Sequence, residues 1–170
     1  MATIDFDPPS RCVVGTVGPP GERTFFVQVS ATARSAAVSI EKFHVTTLAD
    51  RINDVLDRVA GAAASEAAAA LVADNDPLDT PIEEDFRVNT VRLLWDDERS
   101  AVVLELFADD PDEDATAEGI RIWLTPQHAR AFARRALAVA AAGRPPCPFC
   151  GGPLDPRGHI CPRANGYRRR

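Results

Sequence analysis

The segment GIRIWLTPQHARAFARRALAVAAAG, residues 119–143, contains the pattern that decides the fold. Its first six residues place aliphatic side chains at every second position, as in a β-strand with one buried face. Thr125 and Pro126 then predict a helix start, because threonine caps free N–H groups and proline fits the first helical position. Apolar residues recur at helical spacing until Gly143, which favours a helix end. The segment predicts a strand followed by an amphipathic helix over 125–142.

The rest of the chain repeats this order of strands followed by one helix. Alternating or β-branched runs predict strands at 4–6, 12–17, 24–30, 36–42, 86–96, 99–108 and 119–124. A first helix over 47–60 is expected to begin at Thr47 and to stop at Gly61. The pattern of strands then helix therefore occurs twice.

This order predicts an α+β fold with a mainly antiparallel sheet of about six strands and two helices on one face. From the two helices, we expect Leu56 and Phe132 to pack against Phe25, Val103 or Ile122. A small C-terminal zinc knuckle completes the predicted architecture.

The predicted domain organisation is an α+β body at 1–143 and a basic tail at 144–170. Within the body we expect half-repeats at about 1–61 and 86–143, joined by a linker at 62–85. Alanines at the start of this linker can extend the first helix, whereas its end is acidic. The acidic loop 109–118 is predicted to be solvated, since it lacks the spacing and glycine of an EF-hand.

The composition excludes a membrane span, because no run of 18 or more apolar residues occurs among the 170. The N-terminus has neither a basic start nor an apolar run, so we expect no signal peptide and a cytoplasmic location. Net charge is −6, but residues 144–170 hold six arginines and one aspartate, or +5, which leaves −11 for the rest. Any contact with nucleic acid should therefore involve the tail. Alternatively, these arginines balance an anionic metal site.

The tail contains Cys147-Pro-Phe-Cys150 and, nine residues on, His159-Ile-Cys161. Three cysteines and one histidine are the four ligands of a closed tetrahedral Zn²⁺ site, so we predict a structural zinc. Gly151 permits a turn that directs backbone N–H groups at a thiolate. His159 is the less secure ligand, because its spacing to Cys161 is tighter than in common zinc fingers.

Two other interpretations of these cysteines remain. A redox CxxC motif usually opens a helix, which Pro148 and the glycines oppose. A disulfide is disfavoured in a reducing cytosol. A catalytic zinc would need an open coordination position, and four protein ligands leave none.

Other polar residues have simpler interpretations than catalysis, and the catalytic residues, if any, are unknown. Cys12 lies in an apolar run and is expected to be a core residue rather than a nucleophile. His44 and His128 have no partners that suggest a triad. Glu41 and Lys42 are interpreted as an edge ion pair.

These observations favour a non-catalytic binding or adaptor protein that contacts a protein or nucleic acid through its basic zinc tail. The absence of common catalytic motifs and the closed metal site are the basis for this hypothesis. The alternative is an enzyme with its site in the cleft between the half-repeats, using residues such as Glu41, Lys42, Arg23 or Arg121. Oligomeric state stays open.

Several short strings resemble an actinobacterial family known as domain of unknown function 3090. They are Phe6-Asp-Pro-Pro9, Gly15-Thr-Val-Gly18, Arg23-Thr-Phe-Phe26, Glu41-Lys42, Gly143-Arg-Pro-Pro-Cys-Pro-Phe-Cys150 and Arg163-Ala-Asn-Gly-Tyr-Arg168. The resemblance extends over the whole chain and implies a cytosolic protein with a zinc-ribbon-like C-terminus. It implies no activity, substrate or catalytic residue. His44 departs from the family pattern, in which we expect an amide.

Overall fold

The computed structural model describes residues 3–143, 145–152, 154 and 158–163. The strands are β1 (Ile4–Phe6), β2 (Arg11–Val17), β3 (Thr24–Ala31), β4 (Arg34–Ile40), β5 (Phe86–Arg87), β6 (Thr90–Asp96), β7 (Ala101–Phe107) and β8 (Gly119–Leu124). The helices are α1 (Lys42–Val59), a 3₁₀ helix (Gly61–Ala64), α2 (Glu66–Leu71) and α3 (Pro126–Ala141). The predicted α+β class is confirmed. No described helix is both long and apolar enough to cross a membrane.

The strands form two four-stranded sheets, where we expected one sheet of about six strands. The first sheet has the order β2-β3-β4-β5 and the second the order β1-β8-β7-β6. β5 pairs in parallel with β4, and β1 pairs in parallel with β8, while the other pairs are antiparallel. The predicted strand 86–96 is therefore two strands, β5 and β6, which belong to different sheets. Each half of the chain contributes its first strand to the sheet of the other half.

The two sheets have equivalent registers as well as equivalent strand orders. One row across the second sheet consists of Phe6, Ile122, Leu104 and Leu93. The corresponding row of the first sheet consists of Phe86, Val38, Val27 and Val14. Both rows belong to the hydrophobic core or pack against it. The two halves therefore have the same topology.

A single hydrophobic core joins both sheets and both long helices. α1 packs on α3 and β6, and α3 also packs on β2. Leu56 and Phe132 share this core with Phe25 and Ile122, as expected. Val103 is buried but lies outside the core, because strand side chains alternate and its neighbour Leu104 takes the inner position.

The start of α3 is confirmed, whereas the predicted start of α1 is wrong. Thr125 accepts a hydrogen bond from the His128 N–H, and Pro126 occupies the first helical position. α1 begins at Lys42 instead of Thr47, and its N-cap residue, Glu41, forms no side-chain cap. The intervening residues are aromatic and β-branched, so their local preference does not indicate a helix. Burial of Val45 in the core favours the helical conformation there.

Residues 74–85, called the strap below, lie along the first sheet although they contain no regular secondary structure. The Gln28 amide exchanges hydrogen bonds with the Asp79 backbone at 2.8 and 3.0 Å. The Asp85 carboxylate accepts from the Ala37 N–H at 2.8 Å. The sequence predicted only an acidic linker here, because these partners lie 48 to 51 residues away.

Candidate metal centre

A tight turn positions the first two cysteines of the tail. The Cys147 N–H donates to the Gly152 carbonyl at 2.7 Å, and the Gly151 N–H donates to the Cys147 carbonyl at 2.8 Å. Gly151 has a φ of 74°, which favours glycine and was expected from the sequence. The Gly152 N–H lies 3.4 Å from the Cys150 sulfur. The turn thus directs both sulfurs to one point.

His159 and Cys161 bring their side chains to the same point. The four ligand atoms of Cys147, Cys150, His159 and Cys161 all lie within 4.8 Å of one another. Cys147 Sγ is 3.8 Å from Cys161 Sγ, and Cys150 Sγ is 3.4 Å from His159 Nε2. Cys147 and Cys161 are buried, whereas Cys150 and His159 are half-buried. All four residues predicted as metal ligands therefore form one cluster.

Local hydrogen bonds give the two cysteines of the turn different proton affinities. N–H groups of Cys150 and Phe149 point at the Cys147 sulfur, and they lower the pKa of that thiol to about 6. The Gly152 N–H lowers the pKa of Cys150. Desolvation and the neighbouring sulfurs of Cys147 and Cys161 outweigh that effect, so the pKa of Cys150 is raised overall. One thiolate forms readily here, and repulsion opposes a second one unless a cation is present.

This donor set can hold a metal ion. Its cysteines are free, with 3.8 Å between the sulfurs of Cys147 and Cys161, whereas an S–S bond is about 2.05 Å long. The turn at Cys147–Cys150 does not open a helix, unlike the redox CxxC motif considered above.

The family comparison covers both the body and this cluster. Residues 4–161 match a family model described as protein of unknown function (DUF3090). The chain belongs to the DUF3090 family. The matched range ends at Cys161, so it includes all four residues of the cluster. No curated protein and no solved structure matches this chain.

Cys12 lies on β2, away from the cluster. Its side chain is half-buried and packs against the hydrophobic core, as expected. Burial raises the pKa of its thiol to about 12, so the thiol stays protonated at neutral pH. Its environment therefore agrees with a packing role.

His44 and His128 occupy equivalent places, as the third residues of α1 and α3. They line separate cavities, one between α1 and β6 and the other between α3 and β2. His128 Nδ1 lies 2.6 Å from the Thr125 hydroxyl oxygen. Neither histidine lines the cavity that contains Arg23, Glu41 and Lys42 of the enzyme hypothesis.

Three of the four residues named in the enzyme hypothesis line one cavity of about 630 Å³. Arg23, Glu41 and Lys42 lie there, together with Arg87. Arg121 is on the second sheet instead, where it binds Glu105 at 2.6 Å. Both halves contribute to the cavity, because its wall also includes the C-terminal end of α3.

Glu41 forms its ion pair with Arg87, and the pair that we expected between Glu41 and Lys42 is therefore wrong. Sequence reasoning missed Arg87, which lies 46 residues away and enters the cavity only because β5 pairs with β4. The sole signal in the sequence was its place at the start of the predicted strand 86–96.

Proposed function

We propose that Cys147, Cys150, His159 and Cys161 bind a structural Zn²⁺. Zinc–sulfur bonds of about 2.3 Å and zinc–nitrogen bonds of about 2.0 Å at tetrahedral angles place sulfurs about 3.8 Å apart, and sulfur and nitrogen about 3.5 Å apart. Of the six separations among the four ligand atoms, one between two sulfurs is 3.8 Å and one between sulfur and nitrogen is 3.4 Å, and all six are within 4.8 Å. This agreement is the observation that supports zinc.

Four protein ligands leave no position for substrate, which favours a structural role for the metal. The ion would stabilise a short segment rich in proline and glycine, and it would neutralise repulsion among the thiolates. Metal binding and folding of residues 145–163 are therefore expected to be coupled.

We further propose that the protein is a non-catalytic adaptor that contacts its partner through this zinc tail. The observation that supports this role is the exposure of Phe149 and Ile160, at 64% and 82%. Each is next to a metal-ligand candidate, so the ion would hold both apolar side chains in place at the surface. Exposed apolar side chains held on a rigid loop are typical of a protein-binding surface.

Nucleic acid is the second candidate partner. The arginine-rich tail attracts phosphate, and the Arg163 guanidinium donates to the backbone carbonyl of Phe149 at 3.3 Å, so a cation and an exposed aromatic residue belong to the same loop. The remaining arginines of the tail, at 144, 157 and 168–170, lie outside the described residues.

The test is a crosslinking pull-down from native cytosol with the full chain and its Phe149→Ser/Ile160→Ser variant. Leu71→Ser is the matched control, because Leu71 is 88% exposed on α2. We expect a protein partner that is retained by the control and lost from the double variant. Identical partners for all three proteins, with and without nuclease treatment, would contradict the proposal. Nuclease-sensitive capture with a steep salt dependence would identify nucleic acid.

The enzyme alternative rests on the cavity that Arg23, Glu41 and Lys42 share. This alternative requires a substrate that binds in the cavity and is converted there, so turnover of a bound ligand would distinguish it from the adaptor hypothesis. The cavity lies on the body, whereas the adaptor role depends on the tail.

A further inference from the structure

We infer that the cavity lined by Arg23, Lys42 and Arg87 binds a small molecule through a phosphate group. The cavity lies where β3, the β4–α1 junction and the end of α3 meet. Its volume of about 630 Å³ is within the range of about 300–1,000 Å³ that is usual for small-molecule sites. It therefore has space for a phosphate group and a larger attached moiety.

The charge of this cavity is opposite to that of the body around it. Three basic residues and one acidic residue, Glu41, line it, whereas the chain outside the tail carries −11. Glu41 pairs with Arg87. Among residues of known placement, no carboxylate forms an ion pair with Arg23 or Lys42. Two positive charges are thus left to attract an anion.

The two uncompensated cations converge on the same point. A Cβ atom added to Gly143 would lie 3.2 Å from an Arg23 guanidinium nitrogen and 3.8 Å from Lys42 Nζ. The Arg23 guanidinium also lies 5.9 Å from the centre of the Phe25 ring, which orients it by a cation–π contact. Gly143 leaves the space beside both cationic groups open.

The start of α1 adds a further positive contribution at the same place. Lys42 is the first residue of this 18-residue helix, and Glu41 provides no side-chain cap. Free N–H groups at a helix start favour an anion. The α1 dipole therefore acts in the same direction as the side-chain charges, whereas the carbonyl groups at the C-terminal end of α3, on the opposite wall, act against it.

The second half of the chain shows how this charge can be neutralised. Asp7, which follows Phe6, corresponds to Arg87, which follows Phe86. Asp7 binds Arg99 at 2.7 Å, and Arg99 lies 5.1 Å above the Trp123 ring. A carboxylate thus meets an arginine in each half, but in the first half the arginine at that position takes Glu41 as its partner and leaves Arg23 and Lys42 without a carboxylate among the described residues. In the first half, Arg23 and Lys42 are therefore left to attract an anion from solution.

Phosphate fits this arrangement better than a singly charged anion. Guanidinium groups donate two parallel hydrogen bonds to phosphate, and a lysine adds a mobile positive charge. Two uncompensated cations and a helix start match the charge of close to −2 that a phosphate monoester carries at neutral pH.

Isothermal titration of the full chain with inorganic phosphate and with pyrophosphate, at constant ionic strength, tests the inference. We expect saturable binding at one site, weakened about tenfold or more by Arg23→Gln and by Lys42→Gln. Arg34→Gln is the control, since Arg34 is exposed at the start of β4 and its replacement removes the same charge. It should bind both anions like the wild type.

Both test positions are at the surface of the body, so circular dichroism should show unchanged folding for all three variants. Absence of saturable binding for both anions would overturn the inference. Equal weakening by Arg34→Gln would overturn it as well, because this result would indicate general charge attraction instead of a site.

Discussion

Arg130 of α3 binds Asp57 of α1, with 2.5 Å between Nη2 and Oδ1. The same guanidinium donates to Asn53 Oδ1 at 2.7 Å and to the Ala64 carbonyl at 2.8 Å. Arg130 is only 9% exposed, so its charge is buried between the two helices. A single buried cation therefore connects the helices of the two halves.

Replacement of Arg130 should destabilise the fold substantially. Arg130→Met should lower the free energy of unfolding by about 2–4 kcal/mol, because it removes three hydrogen bonds and leaves the Ala64 carbonyl without its donor. Urea denaturation followed by circular dichroism measures the change. Arg134→Met is the control: Arg134 is 56% exposed and pairs with Glu66, so a loss below about 1 kcal/mol is expected. Equal losses in the two variants would contradict this role of Arg130.

Asp74 should make the stability of the protein depend on pH in acid. A side-chain hydrogen bond from Arg11 is the main cause that lowers the pKa of Asp74, with further contributions from the Asp76 N–H and Arg135. A lowered pKa in the folded state means that stability is fully present above the unfolded pKa of about 4. It is lost as the pH falls through the lower, folded value.

Asp74→Asn should therefore cost about 1–2 kcal/mol at pH 7, a moderate value because the side chain is 31% exposed. Its stability should also fall less steeply than that of the wild type below about pH 4. Thermal unfolding between neutral and acidic pH checks both statements. Asp109→Asn, at an exposed loop residue, is the control. A parallel pH profile for Asp74→Asn and wild type would show that the Arg11 pair contributes nothing.

Elemental analysis should find about one equivalent of zinc in protein purified without a metal-affinity column. Cys147→Ser and Cys161→Ser should each reduce the content below about half an equivalent, since each removes a buried thiolate ligand. Cys12→Ser should retain the metal, because Cys12 belongs to β2. Zinc content unaffected by either tail substitution would rule out the proposed site.

Gly15 should tolerate no larger side chain while the strap is in place. An added Cβ would lie 2.5 Å from Leu78 Cγ, too close for any real contact. We expect Gly15→Ala to lower the free energy of unfolding by about 1–3 kcal/mol. In the double variant Gly15→Ala/Leu78→Ala the clash disappears, so the two effects should be strongly non-additive in a double-mutant cycle. Simple additivity would show that the strap does not press on β2 at this point.

Local patterns predicted much of the secondary structure and the candidate metal cluster. The alternation of apolar and polar residues predicted the strands, and Thr125 with Pro126 predicted the start of α3. Both signals depend only on residues a few positions apart. The four metal-ligand candidates could also be named in advance, since their spacing alone restricts them to one small loop structure. The start of α1 could not be predicted in this way, because core burial outweighed the local preference of residues 42–47.

The sequence by itself determined the α+β class, the order of strands and helices apart from β5, the 3₁₀ helix and α2, and the clustering of Cys147, Cys150, His159 and Cys161. Tertiary structure alone decided that the strands divide into two sheets and that each half contributes its first strand to the other half's sheet. It also decided which arginines are buried and which surround the cavity, as Arg130 and Arg87 show. The physical reason is that such contacts join residues dozens of positions apart, and their energies depend on packing and charge partners that no local pattern contains.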